Sequence, residues 1–211
     1  MTEPSPEKRK RGRPPKVTRD FDDTRSELIR SGLAMLTEYG FTASGIDTIV
    51  KNVRVPKGSF YHYFRSKEEF GAEVLTAYDA YFCHKLQKHF TNSEFPALKR
   101  IELFVEDAKR GITKFEFKRG CLVGNLMQES PLLTEPLNEQ LREILNGWQR
   151  LLQQCLEVAQ QNGQLPKTAK PEQLAQLFWS CWEGAVMRTK LFRSTEPLDQ
   201  FWQYFYRTIQ S

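Results

Sequence analysis

Apolar residues recur every three or four positions along most of this chain, which is the spacing of one helical face, and no stretch alternates as a half-buried strand would. Leu28, Ile29, Leu33 and Leu36 predict a helix over 24–39 that stops at Gly40. Ile46, Ile49 and Val50 share one side of a short helix over 46–52. After the turn Val53-Arg54-Val55 a second short helix follows over 57–64. Ser66-Lys67-Glu68-Glu69 reads as a capping box, with Ser66 at the cap and Glu69 at the third helical position. It opens a long helix through Phe70, Val74, Tyr78, Phe82 and Leu86. Beyond Pro96, Ile101, Phe104, Val105, Ala108, Ile112 and Phe115 make the next stripe. A short segment over 120–126 separates it from a helix that starts near Pro136 and ends at Gln161-Asn162-Gly163. The last two helices follow Pro171 and Pro197, both suited to a first turn. The expected fold is all-α, with about nine helices and no sheet.

Composition narrows the class. With 39% hydrophobic residues, fifteen Phe, seven Tyr and four Trp, the chain has ample surface to bury, which excludes extended disorder. Residues 1–20 are the exception: polar, rich in proline and cations and without periodicity, they are expected to be a disordered arm. No apolar run nears the roughly 18–20 residues a membrane span needs, and no signal peptide is expected. Four Cys at 83, 121, 155 and 181 lie far apart without a CxxC, which argues against a disulfide framework or a zinc site and for a reducing cytoplasm. The net charge of +5 is uneven: seven Lys/Arg stand against three acids in residues 1–20, and the first 70 residues carry +4. A basic end on a near-neutral body points to a polyanion.

The chemistry concentrates in residues 42–67. Two short helices joined by a three-residue turn match a helix-turn-helix, whose second helix lies in the major groove. Helix 57–64 begins with Lys57 and Gly58 and presents Ser59, Tyr61, His62 and Tyr63, which donate hydrogen bonds or stack, while Phe60 and Phe64 face the core. Gly58 leaves room for a backbone N–H to approach a phosphate. Lys67 adds a cation at the start of the next helix. Burial of 57–64 as a plain core helix is disfavoured by Lys57, Ser59 and His62.

Val55-Pro56-Lys57-Gly58-Ser59-Phe60-Tyr61-His62-Tyr63-Phe64-Arg65-Ser66-Lys67-Glu68 resembles the signature of the TetR family of bacterial transcriptional regulators. The resemblance is specific over about 24–70 and looser beyond. It implies a three-helix DNA-binding domain over 21–70 and a helical effector-binding and dimerisation domain over 71–211. It further implies that Pro56, Lys57, Ser59, Tyr61 and His62 face the groove, and that Lys57, Gly58, Tyr63 and Lys67 anchor phosphates. Gly45 stands where many members have Thr or Ser, so Thr42 or Ser44 is expected to supply any hydroxyl contact. Arg54 stands where many have Gly. Arg119-Gly120-Cys121-Leu122-Val123-Gly124-Asn125-Leu126 and Trp182-Glu183-Gly184-Ala185 resemble the acrylate- and electrophile-responsive subgroup.

Arg11-Gly12-Arg13-Pro14 is the core of an AT-hook, a slim cationic chain suited to a narrow A·T minor groove, so Arg11 and Arg13 are expected DNA contacts. A solubilising charged tail is the plainer alternative. In the body, the helix over 172–193 is apolar around much of its girth, which calls for a second burying surface. Leu177, Phe178, Cys181 and Ala185, with Phe201 and Phe205 of the last helix, are the expected contacts between two copies in a four-helix arrangement. Cys155 and Cys181 sit on core stripes. Cys121, Asn125, Trp148, Trp182 and Glu183 are polar or amphipathic groups on apolar segments and form the candidate effector site. Glu183 needs a partner if buried, with Arg188 or a bound molecule available. Cys121, after Arg119 and at a helix start, is expected to favour thiolate, against the plainer reading of a small buried hydrophobe.

An enzyme is disfavoured. His84 and His89 are wrongly spaced to ligate from one helical face, no Walker-type loop is present, and no nucleophile–base pair stands out. Neither cofactor nor metal is expected. The reading is a homodimeric repressor of a palindromic double-stranded DNA operator, located in the cytoplasm and on the nucleoid when bound. A small-molecule effector such as acrylate or a related electrophile releases it, with the long helix from Lys67 as relay. An effector-independent architectural DNA-binding protein is the alternative.

Overall fold

Each stripe becomes a helix because its apolar face is buried only when a neighbour covers it. A computed structural model describes residues 21–210 and shows, among them, nine α-helices and no strand. They are α1 (Phe21–Tyr39), α2 (Ile46–Val53), α3 (Lys57–Tyr63), α4 (Lys67–Phe90), α5 (Ala97–Lys114), α6 (Leu122–Gln128), α7 (Glu135–Gln161), α8 (Pro171–Phe192) and α9 (Glu196–Gln210), with a 3-10 turn over Ser130–Leu132. The basic arm, with Arg11 and Arg13, lies outside the described residues.

The first three helices enclose a small core of Leu28, Leu36, Ile49, Phe60 and Phe64, closed from below by Phe70 of α4. Gly40, at φ +86°, ends α1 in the left-handed conformation that glycine takes without strain. The forward half of the capping box forms, with Ser66 Oγ accepting from Glu69 N at 3.1 Å, whereas the return bond is displaced by one residue: Glu69 Oε2 accepts from Arg65 N at 2.6 Å rather than from Ser66 N. At Gly32 α1 and α4 meet closely, and a Cβ there would lie 2.5 Å from Phe70 Cζ and 2.7 Å from a Val74 methyl. Gly32→Ala is therefore expected to cost about 1–3 kcal/mol despite alanine's better helix propensity, read as a lower urea midpoint.

The body packs α4, α5, α7 and α8 around an aromatic centre. Trp148 is fully buried, with Phe82 at 4.3 Å and Trp179 at 5.4 Å between ring centroids. α9 lies on α8, and Phe178 meets both Phe201 and Phe205 at 5.1 Å.

This packing corrects the expected dimer contacts. Phe178, Ala185 and Phe205 are buried within their own protomer, and Phe201 turns inward onto Phe178 and Trp182. Helical spacing showed that these residues share a face with others; the structure shows that Phe178 is covered by the chain's own α9, and Phe201 and Phe205 by its own α8. Leu177 and Cys181 do face outward, so Cys181 is no core residue. The outward apolar surface instead runs through Leu177, Leu191 (77% exposed) and Tyr204 (68% exposed).

Candidate functional site

Two regions carry the chemistry. The first is the pair α2 and α3. The turn between them begins at Arg54, with φ 58° and ψ 42°, so this arginine occupies the left-handed corner that glycine fills elsewhere in such turns. α3 is only seven residues long, too short to be stable alone, and it is held by the buried Phe60 and Phe64. That anchorage leaves Pro56, Lys57, Gly58, Tyr61 and His62 exposed on the outer surface, with Ser59 and Tyr63 half-buried beside them. Tyr61, 52% exposed, stands edge-on to Phe60, so its ring is propped while about half of it remains open to solvent.

The cations here are already partly engaged. Lys57 Nζ lies 3.0 Å from Asp47 of α2, and that hydrogen-bonded carboxylate raises its pKa. Lys67 Nζ donates to the Thr42 carbonyl at 3.2 Å and stands 4.6 Å over the Phe41 ring. These contacts make Lys67 a brace for the loop over 40–45, and desolvation there lowers its pKa.

One expected contact fails. Ser44 is fully buried and its hydroxyl donates to the Gly40 carbonyl at 2.6 Å, because the loop must satisfy that carbonyl internally. Thr42 remains exposed.

The second region is a cavity of about 350 Å³ in the body behind α1, within the range typical of small-molecule sites. Its walls are largely apolar, from Leu33, Phe82, Ile112, Trp182 and Val186 among others. Its charged lining residues are Arg30, Lys85 and Arg119, and no acid lines it. Lys85 is paired with Asp107 at 2.9 Å, and Arg119 lies 3.8 Å from Glu38 and 4.4 Å over the Phe115 ring. The loop that carries Arg119 follows two consecutive left-handed residues, Glu116 at φ 53° and Phe117 at φ 61°. Cys121, with Tyr78 beside it, closes the inner wall.

The five residues expected at the effector site divide. Cys121 and Trp182 line the cavity. Asn125 does not: its amide donates to the carbonyls of Leu36 and Thr37 at 3.1 and 2.9 Å, satisfying the open end of α1. Trp148 does not either, since its indole N–H donates to Asp79 at 2.8 Å deep in the core. Glu183 is buried behind Cys121, off the cavity wall. Arg188 does not reach it and instead stands over the Phe192 ring at 5.2 Å.

The expected thiolate is corrected as well. Burial pushes the Cys121 thiol well above its ordinary pKa, and the nearby Glu183 carboxylate adds to the effect. Arg119 is turned toward Phe115 and Glu38, so it does not offset them. Arg30, Lys85 and Tyr81 read along the chain as ordinary members of a helix surface and Tyr78 as one position of an apolar stripe, and they come to line one cavity only where α1, α4 and α5 converge.

A helix, α6, joins the two regions. Cys121 is its N-cap, Asn125 holds the end of α1, and Glu129 just beyond it reaches the loop before α2. The Glu129 carboxylate accepts from the amides of Phe41 at 2.8 Å and Thr42 at 2.6 Å.

Comparison with known proteins matches this arrangement at both ends. Residues 28–74 fit the model of the bacterial regulatory proteins of the tetR family, and residues 97–205 fit that of the tetracyclin repressor-like C-terminal domain. The chain is 44% identical to the transcriptional regulator AcuR of Cereibacter sphaeroides over 98% of its own length and 94% of that protein. It is 34% identical to the HTH-type transcriptional repressor NemR of Escherichia coli K12 over 84% of this chain and 89% of that one. Among solved structures, the regulatory protein TetR from Rhodobacter sphaeroides superposes with a TM-score of 0.85 at 43% identity, over 87% of this chain and 97% of that one. Reduced Escherichia coli NemR does so at 0.78 and 33% identity, over 90% and 98%.

Proposed function

The chain belongs to the tetR family of bacterial regulatory proteins and is a DNA-binding transcriptional regulator rather than an enzyme, and from this premise we propose that it is a homodimeric repressor released from a palindromic operator by a small unsaturated carboxylate or carbonyl compound, with acrylate the first to test. The observation that carries the reading is α3: its apolar side is fixed by Phe60 and Phe64, while Lys57, Tyr61 and His62 are left outward. A dimer built on the outward surface of α8 and α9 would present two such helices, spaced about 34–36 Å apart to meet successive major grooves. The arm with Arg11 and Arg13 would add minor-groove contacts.

The cavity supplies the effector side. Arg30, Lys85 and Arg119 favour an anionic group, and the apolar walls favour the short hydrocarbon part. Binding there releases DNA only if the effector prefers the pose in which the two α3 helices are misplaced, and such coupling is typically about 1–3 kcal/mol, or roughly 5–150-fold in affinity.

The test is operator binding followed by anisotropy, with and without acrylate. Wild type is expected to protect a discrete palindrome and to weaken about 5–150-fold with acrylate. Tyr61→Ala combined with His62→Ala is expected to lose about 1–3 kcal/mol of specific affinity per contact, with the melting temperature unchanged. A monomer without sequence preference would end the repressor reading. Broad coverage of A·T-rich DNA that ignores acrylate would favour an architectural role.

A further inference from the structure

Cys121 has one side on the cavity and the other against an acid. Glu183 of α8 is only 6% exposed, and neither carboxylate oxygen has a hydrogen-bond partner among the described residues. Leaving a buried carboxylate unpaired is costly, and stability alone would favour an apolar or amide side chain at such a place. The opposing helix nonetheless leaves space for it: at Gly124 of α6 a Cβ would overlap the Glu183 carboxylate. The carboxylate and the Cys121 side chain meet beside Gly124, near enough to perturb each other's ionisation. From α4 the Tyr78 hydroxyl faces the same sulfur, and two turns along α8 the Lys190 side chain lies against Gly120 beside it.

We propose that Glu183 is the base that takes the thiol proton when Cys121 adds to an electron-poor alkene in the cavity. The inference rests on the effector reading of that cavity. In the step, the thiol proton passes to the Glu183 carboxylate as sulfur bonds to the β-carbon of the unsaturated carbonyl compound. The π pair of the alkene moves to the α-carbon, giving an enolate that takes a proton from water. Glu183 then returns its proton to solvent, and the product is a thioether, with no oxidant or reductant consumed.

The need for a base follows from burial. Cys121 has its thiol pKa raised, so ionisation in advance of attack supplies almost no thiolate at neutral pH. Desolvation also lifts Glu183, to about 7, which is the range in which a carboxylate accepts a proton efficiently at neutral pH. Tyr78 is itself pushed above its ordinary value by burial and stays protonated, a donor to the sulfur rather than a base. Lys190 is lowered by burial and acts on Cys121 only through charge.

The experiment follows alkylation of Cys121 by N-ethylmaleimide, a neutral probe, using peptide mass mapping of the intact dimer between pH 5.5 and 9.5. In wild type the rate is expected to rise to an inflection near pH 7, the pKa of Glu183, and then to level before the thiol itself ionises. In Glu183→Gln the inflection should vanish, the rate at neutral pH should fall by about 100-fold or more, and the profile should climb steadily with pH. Glu183→Asp should keep an inflection at a lower rate, and Lys190→Met should keep the wild-type shape. Melting temperature and operator affinity report whether each variant folds; should Glu183→Gln not fold, the wild-type profile decides alone. A wild-type rate that rises without an inflection overturns the inference, as does an unreactive Cys121 or a Glu183→Gln variant with the wild-type profile. An inflection lost in Lys190→Met would transfer the role to that amine and overturn it as well. Release of operator by acrylate is read separately: if it persists while the Cys121 kinetics show no base, the effector reading stands without this step. If acrylate never releases operator, that reading falls while the alkylation profile still decides the role of Glu183.

Discussion

Phe60→Ala is expected to abolish operator binding while leaving most of the helical signal in place. Phe60 is fully buried at the centre of α3, with Phe70 at 5.1 Å, Phe64 at 5.3 Å and Tyr61 at 5.4 Å between ring centroids. Truncating a buried phenylalanine costs about 3–5 kcal/mol, and the small core beneath α3 has little else to offset it. A seven-residue helix has no stability of its own, so α3 and the turn before it would fray together. The body has a separate aromatic centre around Trp148 and should stay folded. Circular dichroism would then show a small early transition followed by the main one, and anisotropy would show no specific binding. Retention of binding would mean that α3 is held by something other than its aromatic underside. The contrast with Tyr61→Ala is informative, because Tyr61 is half-exposed and its loss should weaken reading without weakening the fold.

Glu129→Ala is expected to disconnect the cavity from the DNA-reading helices. The carboxylate bridges two backbone amides, Phe41 and Thr42, in the loop that sets the direction of α2 and α3. Gly40 lies directly beneath it, and a side chain there would overlap the carboxylate. Hydrogen bonds to a charged group contribute about 1.5–3 kcal/mol each, and without the acceptor the amide of Phe41 is left poorly solvated. Cys121 begins α6 and Glu129 follows its end, so this carboxylate gives a shift at the cavity wall a direct connection to the loop. Operator affinity without effector should fall several-fold, and the proposed acrylate response should shrink from the roughly 5–150-fold range typical of allosteric coupling toward about onefold. Glu129→Gln should fall between, since its single carbonyl can serve one amide well. A full response in Glu129→Ala would return the relay to α4, the route expected because that helix joins the two domains.

The helix ends were readable because the signals that set them are local. Ser66 and Glu69 stand three residues apart and cap α4 by their own side chains, and Gly40 ends α1 by its own backbone. The polar groups on apolar segments were not readable in the same way. Asn125, Trp148 and Glu183 were grouped in one candidate site, with Glu183 marked only as needing a partner if buried, yet the first two find partners at Leu36 and Asp79 while Glu183 has no hydrogen-bond partner among the described residues.

What the sequence determined by itself was the chain of helices, the helix-turn-helix over 46–64 and the outward face of α3, because side-chain periodicity and capping act within a few residues. What only the tertiary structure decided was which side of each apolar helix meets its own protomer, why Ser44 is spent on a loop carbonyl, and how three cations from separate segments come to share one cavity. The reason is physical: a helical register fixes which residues share a face, whereas the burial, charge and hydrogen bonding of that face depend on partners brought in from far along the chain.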